Sequence, residues 1–169
     1  AVWTLMTVQA ISETSRTAAL VIDVTSHQWW WEARYNSGVP NRSFTTANDL
    51  VIPAGVPVQV NVRSSDVIHS FWVPRLAGKT DTIPGTTNVT RIEADAPGVY
   101  RGQCTEFCGL EHAKMAFNVI AMNQDEFQRW WNVQLQVPKA DTTDPGQPLF
   151  IQKCAACHTI RGLTAGGIL

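Results

Sequence analysis

The stretch Val56-Pro57-Val58-Gln59-Val60-Asn61-Val62-Arg63 sets a valine at every second position, with Pro, Gln, Asn or Arg between them. Side chains along a strand point alternately to its two faces, so a period of two reads as a strand with one buried face. Outward from it, Leu20 to Val24 (running into the cluster Trp29-Trp30-Trp31), Ile68 to Val73, Val99 to Gln103 and Ala116 to Ala121 read as further strands. Turn signals lie between them at Ser37-Gly38, Pro53-Ala54-Gly55, Pro84-Gly85 and Pro97-Gly98. Several short strands at such spacing, with no alternating helices, predict an all-β sandwich or Greek-key barrel.

One helix is predicted after the last strand. Asn123 can cap it, Glu126 stands three residues on as in a capping box, and Phe127, Trp130, Trp131 and Leu135 share a face. Residues 137–148 (VPKADTTDPGQP) hold three prolines and a glycine and read as a linker. Pro148 suits the first turn of a short helix over Leu149 to Cys154. Ala1 to Ile11 carries no charge, so it reads as a core element or as the last turns of a membrane helix with Trp3 at the interface. No run reaches the ~20 apolar residues that span a bilayer.

Lys and Arg total 13 against 14 Asp and Glu among 169 residues, a net charge of -1, which excludes the basic stripe that a nucleic-acid binder needs. With 44% hydrophobic residues the chain can bury a core, and whole-chain disorder is excluded. Charged residues make up only 16%, below the ~25% of soluble domains, which implies surface covered by a partner or membrane. The four cysteines form two close pairs, unlike the scattered framework of a small disulfide-stapled protein.

The first pair lies in Cys104-x3-Cys108-x3-His112-x2-Met115. A disulfide would leave His112 and Met115 unused, and zinc has little use for a thioether. Thiolates, imidazole and thioether together point to copper. Two thiolates four residues apart can bridge two copper ions, each keeping one imidazole and one weak axial ligand, an arrangement suited to electron transfer. Such a site needs a second imidazole. His69 and His27 are the candidates, and the strand formers around His69 favour it.

The second pair lies in Cys154-Ala155-Ala156-Cys157-His158, a C-x-x-C-H motif for covalent attachment of haem c. The two thiols would capture the porphyrin and His158 would bind iron. A thioredoxin-like dithiol is the alternative and leaves His158 without a role.

Three stretches, HQWWWEARY, IHSFWVPRLAGKTDTIPG and QCTEFCGLEHAKM, resemble the signature segments of subunit II of haem-copper cytochrome c oxidases, the CuA-bearing subunit. The resemblance runs from Ser26 to Phe127 and implies a cupredoxin fold. It implies bridging thiolates at Cys104 and Cys108, nitrogens from His69 and His112, the thioether of Met115 and the backbone carbonyl of Glu106. It assigns the Glu106 carboxylate to a magnesium ion at the boundary with the catalytic subunit. Trp29 matches the aromatic that receives electrons near the docking surface. Trp30 stands where the family commonly has tyrosine. Lys79 to Asp81 and Ile83 to Gly85 resemble the loop facing the catalytic subunit.

GQPLFIQK before the haem motif resembles the first helix of a class I cytochrome c. The whole is similar to the cytochrome-c-fused type of subunit II, cut at both ends. That organisation is 1–11 the end of a membrane helix, 12–136 the CuA domain, 137–148 a linker and 149–169 the start of a cytochrome c domain. It implies an electron route from cytochrome c or another donor through haem c and CuA to the catalytic haem-copper subunit, where oxygen is reduced. The domain would sit on the outer face of a bacterial cytoplasmic membrane. The CuA domain of a nitrous oxide reductase and a non-catalytic zinc- or copper-binding module are the rivals. A quinol-oxidase subunit II is disfavoured, since that relative lacks the copper ligands.

Overall fold

The valine alternation becomes strand β5 (Val58–Ser64), with Val58, Val60 and Val62 fully buried and Arg63 exposed. The computed structural model describes residues 1–12, 18–36, 42–136, 143–156, 158 and 160; the Ser37-Gly38 turn, 137–142 of the linker and Cys157 lie outside them. The chain divides into two compact units, Ala1–Trp130 and Trp131–Leu169.

The first unit is a two-layer sandwich. One sheet takes β1 (Leu20–His27), β2 (Trp30–Asn36), β3 (Ser43–Ala47), β5 and β8 (Asn88–Ile92) in the order β3-β2-β1-β5-β8. The other takes β4 (Asp49–Pro53), β6 (His69–Trp72), β7 (Thr80–Thr82), β9 (Gly98–Cys104) and β10 (Ala116–Met122) in the order β4-β10-β9-β6-β7. Pairing is antiparallel except for β1 with β5 and β4 with β10. Each sheet sends alternate side chains inward: Ile22, Val24, Ala33 and Val60 from one, Leu50, Ile52, Phe71 and Val119 from the other.

The chain changes sheets at Asn48, between β3 and β4. Its φ of 62° is the left-handed conformation that asparagine tolerates better than most residues. The Asn48 backbone N–H donates to the Trp31 carbonyl (2.8 Å), its Oδ1 accepts the Trp31 N–H (2.9 Å), and its carbonyl accepts the Asn118 N–H (2.9 Å). One residue thus stitches β2 to β10 across the corner.

Tyr35 makes the second cross-layer tie. Its buried hydroxyl accepts the Val51 N–H at 2.7 Å and donates to the Val51 carbonyl at 3.1 Å, joining β2 to β4. Burial pushes this phenol well above its usual range, so it stays protonated and able to donate.

Helix α2 (Gln124–Leu135) starts as expected: the Glu126 carboxylate accepts the Asn123 N–H at 3.3 Å, one half of a capping box. Phe127 is buried, and Trp130 meets Tyr35 and Phe44 edge-on at 5.3 Å from each ring, so this tryptophan is packing.

Residues Val2–Ser12 form helix α1, whose Val2, Trp3, Leu5, Met6 and Val8 are all exposed. The reading of this segment as a core element is therefore corrected for residues 2–8, whose large apolar side chains are exposed rather than packed in the sandwich. No helix among the described residues is long and apolar enough to cross a membrane.

The second unit carries α3 (Gly146–Lys153), which begins three residues before the predicted Leu149. The reason is local. The Asp144 carboxylate accepts the Gly146 N–H at 2.7 Å and its backbone carbonyl accepts the Gln147 N–H at 3.1 Å, so the chain already turns there and Pro148 falls in the first turn of the helix.

Replacing Tyr35 with Phe removes one partner from two buried backbone groups of β4. The expected cost is about 1–3 kcal/mol of unfolding free energy, read by urea denaturation of the two chains.

Candidate metal centre

His69 comes from the first position of β6 and Cys104 from the last of β9, and the pairing of Phe71 with Cys104 brings the two strands together. The loop from β9 to β10 then supplies Cys108, His112 and Met115, with a 3-10 turn over His112–Lys114. Its base is closed by the Cys104 N–H donating to the Met115 carbonyl at 3.0 Å.

Five side chains and one carbonyl converge there. Cys104 Sγ and Cys108 Sγ are 3.8 Å apart, and both cysteines are free, which removes the disulfide reading. Cys104 Sγ lies 3.9 Å from His69 Nδ1 and 3.2 Å from the Glu106 carbonyl oxygen. Cys108 Sγ lies 3.4 Å from His112 Nδ1 and 3.7 Å from Met115 Sδ. Each sulfur therefore has its own imidazole and its own weak donor. His69, Cys104 and Cys108 alone place three ligand atoms within 4.8 Å of one another, all buried. Every atom of the predicted ligand set is in this cluster.

His27, the other imidazole candidate, is elsewhere. Its ring stacks on Trp30 at 4.3 Å, and its Nδ1 lies 2.9 Å from Ser65 Oγ.

The charge state of the dithiol follows from its setting. Burial raises the Cys104 thiol, but hydrogen bonds from His69 and the backbone outweigh this and pull it down to about 6. Burial and the neighbouring Cys104 charge push Cys108 up to about 12. Burial lowers His69, and its contacts with Cys104 and Asp66 more than offset that, leaving it above the ordinary imidazole value. Without a cation this pair holds one negative charge. A second thiolate at 3.8 Å needs positive charge beside it, which is what a bound metal supplies.

Beneath the ligands lies an aromatic floor. Trp31, fully buried, meets His69 at 6.2 Å, Phe71 at 5.6 Å and Phe117 at 5.1 Å between ring centroids. Phe117 lies flat over Gly102, where a Cβ would overlap its ring. Above the ligands the loop is exposed: Phe107 and Leu110 are 77% and 93% accessible.

The tryptophan run divides by position. β1 ends at His27 and β2 begins at Trp30, so Gln28 and Trp29 form the turn between them and Trp29 is on no strand. Trp29 and Trp30 are half-buried. The Trp29 indole N–H donates to the Cys108 carbonyl at 3.1 Å, in direct contact with the ligand loop.

Asp66 is a site residue that pattern reading missed. Its Oδ1 lies 2.8 Å from His69 Nε2, while its Oδ2 accepts the Gln28 N–H at 2.7 Å. Burial raises this carboxyl, but the His69 contact and two backbone N–H donors hold it below the usual range. Its only trace in the sequence is a position three before His69. Glu106 is exposed, near Lys79, which pairs with Asp81 at 2.9 Å; Asp81 in turn accepts Ser70 Oγ at 2.8 Å. In the second unit, Cys154 is half-buried and free, and the His158 N–H donates to its carbonyl at 2.9 Å.

A two-sheet sandwich that gathers thiols, imidazoles and a thioether at one end of its strands is a cupredoxin-type metal domain. The profile of the family described as cytochrome c oxidase subunit II, periplasmic domain, matches residues 38–122. The chain is similar to cytochrome c oxidase subunit 2 of Alkalihalophilus pseudofirmus, with 42% identity over 86% of this chain and 43% of that protein. It is also similar to the crystal structure of the periplasmic domain of subunit II of cytochrome oxidase from Bradyrhizobium japonicum. There the identity is 31% and the TM-score 0.66, over 70% of this chain and 95% of that one. A third relative is subunit II caught as a mixed disulfide with a thioredoxin-like protein, at 32% identity and TM-score 0.62, over 70% of this chain and 92% of that one. The chain belongs to the cytochrome c oxidase subunit II periplasmic-domain family. It spans about half the length of the curated relatives it matches.

Gly109, beside Cys108, has φ +119°, and a Cβ there would lie 3.1 Å from both Gln28 Nε2 and Trp29 Cζ2. Gly109→Ala should therefore lower stability by about 1–3 kcal/mol through backbone strain, measured by urea denaturation of the metal-free chain.

Proposed function

We propose that this chain is the copper-bearing electron carrier of a haem-copper oxidase, taking electrons from a donor at its surface and passing them to the catalytic subunit. The observation that carries the reading is the matched pairing at the cluster: Cys104 with His69 and the Glu106 carbonyl, Cys108 with His112 and Met115. Two equivalent half-sites sharing two sulfurs fit a binuclear copper centre better than a single ion, which would need only one thiolate. A bound copper pair would supply a reversible one-electron change shared between two ions.

The chain's own residues have distinct roles in this reading. Cys104 and Cys108 would hold the copper pair through their sulfurs, His69 and His112 through their imidazoles, and Met115 and the Glu106 carbonyl would be weak donors. Asp66 braces the far nitrogen of His69, which fixes the ring and its tautomer. Trp29, bonded to the ligand loop, is the aromatic that passes electrons inward, with Trp30 beside it. The Glu106 carboxylate faces out of the loop, where it would reach a magnesium ion shared with the catalytic subunit. Lys79 to Asp81 and Ile83 to Gly85 form the adjoining contact surface. A thioredoxin-like protein such as the one trapped with the relative would keep Cys104 and Cys108 reduced until copper arrives.

The organisation 1–11, 12–136, 137–148 and 149–169 is proposed with it. The exposed apolar surface of α1 supports the lower end of a membrane anchor, with the sandwich on the outer face of the membrane. Helix α3 and the hydrogen bond from His158 to Cys154 support the start of a haem c domain. Cys154 and Cys157 would hold the porphyrin and His158 the iron, so that electrons from a cytochrome or other donor enter through haem c.

Loading the chain with copper and recording its electron paramagnetic resonance tests the central reading. The expected spectrum is the hyperfine pattern of one electron shared by two copper nuclei, and Cys108→Ser abolishes it. A four-line single-copper spectrum, or silence with stoichiometric zinc, overturns the proposal. Met115→Leu should raise the reduction potential and alter the spectrum at unchanged melting temperature, because loss of the thioether disfavours the oxidised state. Voltammetry of the two proteins checks this.

A further inference from the structure

Gln28 stands at the first position of the turn between β1 and β2, with its side chain exposed on one side. Yet its carboxamide nitrogen lies 2.7 Å from the Cys108 carbonyl oxygen. An amide facing a carbonyl at that distance must present its NH2, since two oxygens would repel. The Trp29 indole N–H reaches the same oxygen at 3.1 Å, so both lone pairs of the Cys108 carbonyl are engaged from one turn. The backbone N–H of Gln28 points the other way, donating to Asp66 Oδ2 at 2.7 Å, and Asp66 Oδ1 lies 2.8 Å from His69 Nε2. Gln28 thus contacts the Cys108 loop through its side chain, and through its main chain the carboxylate that braces His69.

The two ligand-bearing segments, 35 residues apart in sequence at His69 and Cys104, are locked to a single turn by these bonds. The fit is close: Gln28 Nε2 lies 3.1 Å from the point where a Cβ on Gly109 would stand. Glycine there is what lets the amide approach the Cys108 carbonyl.

We infer that Gln28 is a positioning residue of the metal centre. It holds the Cys108 main chain and the Trp29 ring in register with His69, so that metal meets a loop already in its bound shape. The inference rests on the copper reading above. A loop held this way has less to rearrange when the centre gains or loses an electron, and it releases metal more slowly.

Gln28→Met tests it, since methionine keeps the length and removes the donor, and the exposed position spares the fold. Trp29→Phe removes the second donor and keeps an aromatic ring. In the copper-loaded chain, Gln28→Met should release copper to a competing chelator about 3- to 10-fold faster, the loss of roughly one hydrogen bond, and shift the reduction potential. The double variant should release faster than either single one. In the metal-free chain, the His112 amide, bonded to the Gly109 carbonyl at 3.2 Å, should exchange its hydrogen faster at unchanged melting temperature. Copper release, potential and His112 exchange all equal to those of the parent overturn the inference. So does a lowered melting temperature with unchanged exchange, which makes the role merely structural. If the parent chain fails to bind a copper pair, the copper reading has failed, and exchange in the metal-free chain decides the role of Gln28 by itself.

Discussion

Two sulfur atoms 3.8 Å apart, on cysteines only 2% and 3% accessible, cannot both carry charge unless a cation lies beside them. Left alone, Cys104 takes the charge against His69 and Cys108 keeps its proton. A metal ion beside the pair would let both sulfurs ionise. Each sulfur also has an imidazole of its own beside it, His69 at Cys104 and His112 at Cys108.

The sandwich divides the donors between rigid and adjustable parts. His69 and Cys104 sit on neighbouring strands whose pairing sets their separation. Cys108, His112 and Met115 sit on a loop whose ends are both tied into the second sheet through β9 and β10. Trp31, Phe71 and Phe117 fill the space below, so the ligands cannot sink, and Asp66 prevents the His69 ring from turning. Under the electron-carrier reading proposed above, this stiffness is a gain, because structural change on each transfer adds to the barrier.

The strands differed in how plainly they could be read. β5 and β10 have one buried and one wet face, and the period of two is visible in both. β4 hides because Leu50, Val51, Ile52 and Pro53 are all buried, which erases the alternation. β7 has only three residues, and β2 is masked by a tryptophan run whose first member belongs to the turn. The early start of α3 goes with the turn that Asp144 closes on Gly146 and Gln147, which apolar periodicity does not register. Of the site, the donor cluster was legible because thiol, imidazole and thioether side chains at short spacing have few other uses. Asp66 and Gln28 were not, since an aspartate before a strand and a glutamine in a turn are common on any surface.

By itself the sequence determined the kind of chemistry: which donor atoms are present, how they are spaced along one loop, and that a β framework would carry them. Those properties are local, set by side-chain identity and by the alternation of neighbours. Only the tertiary structure decided how the His69 strand, the Cys104 strand and the turn at Gln28 and Trp29 meet the loop, and which polar groups hold it still. These depend on strand register and on where a turn in one sheet meets a loop from the other. Such meetings arise between residues far apart in the chain, and no local pattern encodes them.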